Sequence, residues 1–157
     1  MNKLKKRVVN KLINNNLSIS SAESCTGGLF ASTIVSCNNA SKIFNESYVT
    51  YSNEAKIKNL NVNFETLERF GAVSEQTARE MVVGLKNKTK ADICISITGI
   101  AGPTGGTNEK PVGLIYIGFY FKNELEIIKM QLNTKNRNKN RLKTVIYILR
   151  KLDNLLE

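Results

Sequence analysis

Glu23-Ser24-Cys25-Thr26 sets a carboxylate, two hydroxyls and a thiol side by side, directly ahead of Gly27 and Gly28. A serine placed where a strand ends and a helix begins is a candidate nucleophile. Its hydroxyl stands at a sheet edge, and N–H groups of the Ser24 to Gly28 turn can face an oxyanion developing beside it. The chain contains no histidine, so the commonest base for such a nucleophile is missing. The remaining base is a lysine whose pKa is lowered by burial or by neighbouring positive charge. Spacing does not choose among the lysines. Lys56 is singled out because it closes a second irregular stretch, VTYSNEAK at 49–56, beside Tyr51, Ser52 and Asn53. Tyr51 is placed to hold that lysine or to pass a proton. Cys25 is a rival nucleophile, but without histidine a small packing residue is its simpler role. Glu23 suits a carboxylate that orients the turn by accepting N–H bonds. On residue types alone, a helix cap is the simpler role for Ser24 or Thr26, and Tyr51 reads as a packed strand residue and Lys56 as a solvated helix lysine.

A third irregular stretch, GIAGPTGGTNEKPVG at 99–113, carries Gly99, Gly102, Gly105, Gly106 and Gly113 and both prolines of the chain. Such glycine density permits close backbone approach to a ligand and exposes N–H groups as an anion nest. A flexible surface loop has the same composition.

The elements that must position these stretches follow from periodicity. Leu4, Val8, Val9, Leu12 and Ile13 predict an amphipathic helix over 2–15, and 17–21 reads as a short strand. A helix follows the glycines to about Cys37, a strand covers 48–51, and Asn53 is the expected cap of a helix over 54–60. Asn63 and Gly71 bracket a short helix, and Ser74 caps a longer one with Ala78, Met81, Val82 and Leu85 on its apolar face. Residues 92–98 form a buried strand with Ile93, Ile95 and Ile97 on one face. Strands over 113–121 and 124–132, joined by Lys122-Asn123, form an antiparallel pair. A last helix over 138–155 shows Leu142, Val145, Ile146, Leu149 and Leu152. The expected architecture is a single-domain, three-layer α/β/α sandwich with a mixed sheet, spanning 1–157. Each of the three irregular stretches follows a strand, and ligands gather at strand ends in such sheets.

Composition narrows the function classes. The 157 residues suit one domain with a real core, and 41% hydrophobic against 23% charged residues describes a soluble globular chain. The longest apolar run, residues 113–121, is far below the ~20 residues of a spanning helix, so no membrane is expected. The basic N-terminus lacks the apolar segment of a secretory signal, although its amphipathic, acid-free character leaves an organellar presequence open. Cys25, Cys37 and Cys94 form no CxxC pair, and with no histidine a structural zinc site is not expected. A reducing cytoplasm fits. The net charge of +10 admits a nucleic-acid partner, but no RNP-like aromatic pair, GxxG clamp or zinc finger accompanies it. An anionic small substrate would use the same field.

Taken in order, AESCTGG, VTYSNEAK, GAVSE, SITGIAGPTGG and KPVG resemble the CinA C-terminal domain family, the nicotinamide-nucleotide amidohydrolases. The resemblance covers about residues 5–155. It implies deamidation of nicotinamide mononucleotide to nicotinate mononucleotide and ammonia, with no metal and no cofactor. It puts the family's serine on Ser24, its lysine on Lys56 and the associated tyrosine on Tyr51. Substrate binding would fall to Cys25, Thr26, Gly27 and Gly28, and to Gly99, Ile100, Ala101, Gly102, Thr104 and Gly105 of the glycine loop running to Gly106. The family's arginine before the last helix falls on Arg137, and a second on Arg141. Lys135-Asn136-Arg137 departs from the family's usual Gly-Asp-Arg-like stretch, which weakens the Arg137 assignment. The larger CinA proteins carry a separate N-terminal domain that this sequence does not match, so roles attached to it do not transfer. A nucleotide-binding module without turnover and a basic nucleic-acid-binding domain remain as alternatives, and homo-oligomerisation is left open.

Overall fold

Five strands form one sheet in the order β2-β1-β3-β4-β5, and the chain reaches them through six helices. The structure is a computed structural model, and it describes residues 1–156. The elements are α1 (Asn2–Asn14), β1 (Ile19–Glu23), α2 (Leu29–Val35), β2 (Ser47–Val49), α3 (Asn53–Leu60), α4 (Phe64–Phe70), α5 (Glu75–Thr89), β3 (Ile93–Gly99), β4 (Leu114–Phe121), β5 (Glu124–Gln131) and α6 (Arg137–Leu155). β1 pairs in parallel with β2 and β3, whereas β3–β4 and β4–β5 are antiparallel. The sheet is therefore mixed, as the sequence predicts.

Strand alternation divides the core into two layers. Ile93, Ile95 and Ile97 of β3 face one side and pack with Val8, Val9 and Leu12 of α1, Phe30 and Ile34 of α2, and Val145, Ile148, Leu149 and Leu152 of α6. Ala22 and Cys94 face the other side and pack with Leu60 of α3, Leu67 of α4 and Met81, Val82 and Leu85 of α5. The result is the expected α/β/α sandwich. The β4–β5 hairpin turns at Lys122 and Asn123, whose φ values of 50° and 62° are those of a two-residue turn matching strand twist.

Several boundaries move, each for a local reason. The first strand lies at 19–23 rather than 17–21, because its ladder with β3 begins at Ile19 opposite Ile93. The preceding Ser18 is instead held at the surface by Asp92. β2 stops at Val49, two residues short of the expectation, as Thr50 and Tyr51 turn their carbonyls to Lys56. Ser52, not Asn53, caps α3; its hydroxyl accepts the N–H of Ala55 at 3.0 Å. α2 ends at Val35, short of Cys37. On α6, Leu142 is exposed, and Thr144 and Ile148 take the inward positions instead.

The layer holding α3 depends on one close crossing. A Cβ at Gly84 of α5 would sit 1.8 Å from the carbonyl oxygen of Leu60, the last residue of α3. Alanine in a helix interior normally gains about 1 kcal/mol over glycine. Overpacking costs about 1–3 kcal/mol, and a backbone oxygen at that distance cannot yield cheaply. With the overpacking cost at its upper end, Gly84→Ala should therefore be net destabilising, by up to about 2 kcal/mol in urea unfolding. Equal or greater stability would mean that the two helices do not meet this closely.

Candidate active site

β1 delivers the chain to Ser24, whose N–H still bonds the carbonyl of Ile97 on β3 at 2.9 Å. The chain then reverses into α2. Gly27 and Gly28 take φ of 54° and 88°, in the left-handed region that favours glycine. Glu23 is fully buried and accepts N–H bonds from Gly28 (3.1 Å), Phe30 (3.1 Å) and Ala31 (2.8 Å). This is the orienting role expected of it. Across 24–31, the N–H of Gly27 is taken by Ser24 O and that of Leu29 by Thr26 O. Among the described residues, Cys25 N and Thr26 N have no protein acceptor.

Lys56 reaches the same point from α3. Its amine lies 3.1 Å from Ser24 Oγ, 2.9 Å from Thr50 O and 3.2 Å from Tyr51 O. Lys56 is 1% exposed and Ser24 8%. Among the described residues no carboxylate forms an ion pair with this lysine. Burial pushes its pKa down to about 8, against weak opposing effects of Cys25 and Glu54. Neighbouring cations, which the sequence reading also invoked, are not among the causes. Burial pushes the Cys25 thiol up to about 12, so this cysteine stays protonated near neutrality.

A cleft of about 250 Å³ opens beside the pair. Ser24, Cys25, Tyr51, Lys56, Gly99, Ile100, Ala101, Gly102, Thr104, Gly105 and Arg137 line it. Among the described residues, no Asp or Glu lines the cleft. Ala101, Gly102, Thr104 and Gly105 present N–H groups without a protein acceptor among the described residues. Asn140, fully buried on α6, fixes this loop by donating to Ala101 O at 2.9 Å.

Tyr51 does not hold the lysine with its phenol. The side chain is 61% exposed and its hydroxyl accepts from Arg137 Nη2 at 2.9 Å, while the main-chain carbonyl meets Lys56. Arg137 is the first residue of α6 and also donates to Gly102 O at 2.7 Å, so it spans the cleft mouth despite the altered residues before it. Thr26, Gly27, Gly28 and Arg141 do not line the cleft. Arg141 is instead turned onto the carbonyl of Thr26.

Three lining residues escaped the residue-level reading: Ala72, Val73 and Thr98. Thr98 donates to Ala72 O at 2.7 Å, joining β3 to the turn before α5. Strand alternation from Ile97 could have found Thr98, and Gly71 and Ser74 mark the turn without saying where it docks. Among the described residues, no three His, Cys, Asp or Glu side chains gather as a metal set. None of the helices is long and apolar enough to cross a membrane.

Comparison with known proteins identifies the family and the fold. The family model for the CinA C-terminal domain matches residues 1–156. A CinA-like protein of Kosmotoga olearia is 53% identical over 146 residues, which cover 93% of this chain and 35% of that protein. A CinA-like protein of Fusobacterium nucleatum is 54% identical over 140 residues, 89% of this chain and 34% of that one. The chain thus spans about a third of the length of these curated relatives. Among solved structures, the competence/damage inducible protein of Agrobacterium tumefaciens superposes with a TM-score of 0.94 at 38% identity, over 99% of this chain and 94% of that one. A CinA superfamily protein of Klebsiella pneumoniae gives 0.92 at 33% identity, over 98% and 96%. A family match over nearly the whole chain, and superposition at this identity, establish that the chain belongs to the CinA C-terminal domain family.

Proposed function

We propose that the chain is a serine amidohydrolase that deamidates nicotinamide mononucleotide to nicotinate mononucleotide and ammonia, with Lys56 as base and Ser24 as nucleophile. The observation that carries this reading is the 3.1 Å approach of a fully buried, carboxylate-free lysine amine to Ser24 Oγ. A neutral amine has two hydrogens and one lone pair. The hydrogens go to Thr50 O and Tyr51 O, which leaves the lone pair for the Ser24 hydroxyl.

In the first step Lys56 takes the hydroxyl proton as Ser24 Oγ bonds to the carboxamide carbon, and the carbonyl π pair moves onto oxygen. The N–H of Cys25, the residue of the turn that lines the cleft and has no protein acceptor for its N–H among the described residues, holds that oxyanion. Collapse breaks the carbon–nitrogen bond, and the ammonium of Lys56 returns its proton to the departing amine. Lys56 then draws a proton from water as the water oxygen bonds to the ester carbon, and returns it to Ser24 Oγ as that carbon–oxygen bond breaks; the acid product gives up its own proton to solvent, leaving carboxylate, free serine and neutral Lys56. The phenol of Tyr51, engaged with Arg137, guards the cleft mouth rather than supplying this proton. The substrate phosphate is held by the free N–H groups of the glycine loop and by Arg137, in a wall free of acidic side chains. Three buried thiols, none in a disulfide, suit a reducing cytoplasm.

Ammonia release on mixing with nicotinamide mononucleotide tests the reading, and binding without release would reduce the chain to a nucleotide-binding module. Ser24→Ala should fold normally and lose about 10⁴-fold or more in turnover. Activity kept in Ser24→Ala but lost in Cys25→Ala would shift the nucleophile by one residue. Lys56→Arg should be nearly as inactive as Lys56→Ala, since a guanidinium does not give up its proton in a protein. Substantial turnover in Lys56→Arg would show that the position supplies only charge.

The pH profile carries a sign. The working form needs neutral Lys56, so kcat/KM should rise with pH through a midpoint of about 8. Below the midpoint the slope should be about tenfold per pH unit. A flat profile with ammonia release verified would exclude a titrating lysine base.

A further inference from the structure

Arg141 stands one helical turn beyond Arg137 on α6, yet the two arginines point at different things. Arg141 donates to the carbonyl of Thr26 from Nη2 at 2.7 Å and from Nε at 3.2 Å. Its other terminal nitrogen leans on Asn138 Oδ1 at 3.4 Å. It is absent from the cleft wall. A Cβ at Gly27 would come within 3.7 Å of the guanidinium, so the arginine lies flat against the turn.

We propose that Arg141 is a positioning residue that sets the oxyanion-holding turn through the Thr26 carbonyl, and that it does not bind the substrate phosphate. The peptide unit between Thr26 and Gly27 is planar, so fixing its two ends fixes its orientation. Its oxygen is held by Arg141 and its N–H by Ser24 O at 3.0 Å. On the upstream side, Ser24 N is anchored to Ile97 O. Between these clamps lie the N–H groups of Cys25 and Thr26, the two in the turn without a protein acceptor among the described residues. Pre-set direction is what gives such donors their value, because they need not reorganise as charge develops. Arg141 therefore acts on the transition state through the backbone, and the cleft cation left for phosphate is Arg137.

The substrate arms of the test rest on the amidase reading, and the labelling arm does not. Arg141→Met and Arg141→Lys are compared with the wild type for ammonia release from nicotinamide mononucleotide and from nicotinamide riboside, which lacks the phosphate. Ser24 is also titrated with an alkyl fluorophosphonate, read by intact mass; Ser24 Oγ displaces fluoride from phosphorus and the phosphoryl oxygen enters the same hole. Arg141→Met should lose about 10- to 100-fold in kcat with little change in KM, less than the ~10²–10³-fold lost when a hole donor is removed outright. The loss should be the same for both substrates, labelling should slow similarly, and Arg141→Lys, keeping one donor, should recover part of each. If Arg141→Met does not fold, the intermediate loss in Arg141→Lys, equal on both substrates, carries the same expectation. A KM rise confined to the phosphorylated substrate, or unslowed labelling in a folded variant, would overturn the proposal. A wild type that releases no ammonia but is labelled at Ser24, with slower labelling in Arg141→Met, would remove the amidase reading and leave the turn assignment standing. No labelling of the wild type would remove both.

Discussion

A lysine amine almost fully buried at the foot of a cleft, beside a serine and with no carboxylate partner among the described residues, holds the rest of the structure to its geometry. An ammonium in that position has lost most of its hydration and has only main-chain carbonyls and a hydroxyl as partners, so burial favours the neutral form. Arg7 and Asp153 show the opposite use of charge. There a surface arginine, helped by Lys11, holds the aspartate's carboxyl down to about 2. The same chain thus favours charge where two helices meet at the surface and disfavours it inside the cleft. Much of the β2 edge of the sheet serves that cleft. β2 ends early so that Thr50 and Tyr51 can offer carbonyls, Ser52 starts α3 at the right residue, and the Gly84 crossing lets α3 lie close enough for Lys56 to reach.

The first turns of α6 tie the three strand-end segments into one site. Arg137 joins Gly102 O to the Tyr51 hydroxyl, Asn140 holds Ala101 O, and Arg141 holds Thr26 O. All three act on backbone or phenol oxygens rather than on another charge. Such contacts set geometry without neutralising the cations, and Arg137 stays available to an anion in a cleft that has no acidic wall. The helix itself is anchored by Val145, Ile148, Leu149 and Leu152 in the core. Distortion of that packing would be felt at the glycine loop and at the Ser24 turn together.

Most elements were legible in the sequence because their signals are local. The apolar spacing of α1 and α5, the alternation of Ile93, Ile95 and Ile97, and the Lys122-Asn123 turn all depend on near neighbours. The pairing of Ser24 with Lys56 was legible by elimination and by family resemblance, since no histidine competes and both fall in stretches that follow strands. What eluded the sequence is what depends on directions in space. Leu142 looked inward, but the helix phase set by Ile148 and Leu149 turns it out. Tyr51 looked like the lysine's partner, yet its phenol points to Arg137. Arg141 looked like a ligand for substrate, and its reach to Thr26 spans more than a hundred residues of chain. Ala72 and Val73 have no chemistry of their own to flag them, and only docking of the turn before α5 against β3 brings them to the cleft.

If Lys56 serves as base, it is neutral at a pH where ordinary lysines are charged. Lysine labelled with ¹³C at Cε reports its own protonation state, independently of any substrate. A pH titration of the wild type by carbon-detected NMR should show one lysine with a midpoint of about 8, well below the rest, and that resonance should vanish in Lys56→Arg. If every lysine resonance, including the one lost in Lys56→Arg, titrated near the ordinary value of 10.5, Lys56 could not be the base and the account would be contradicted.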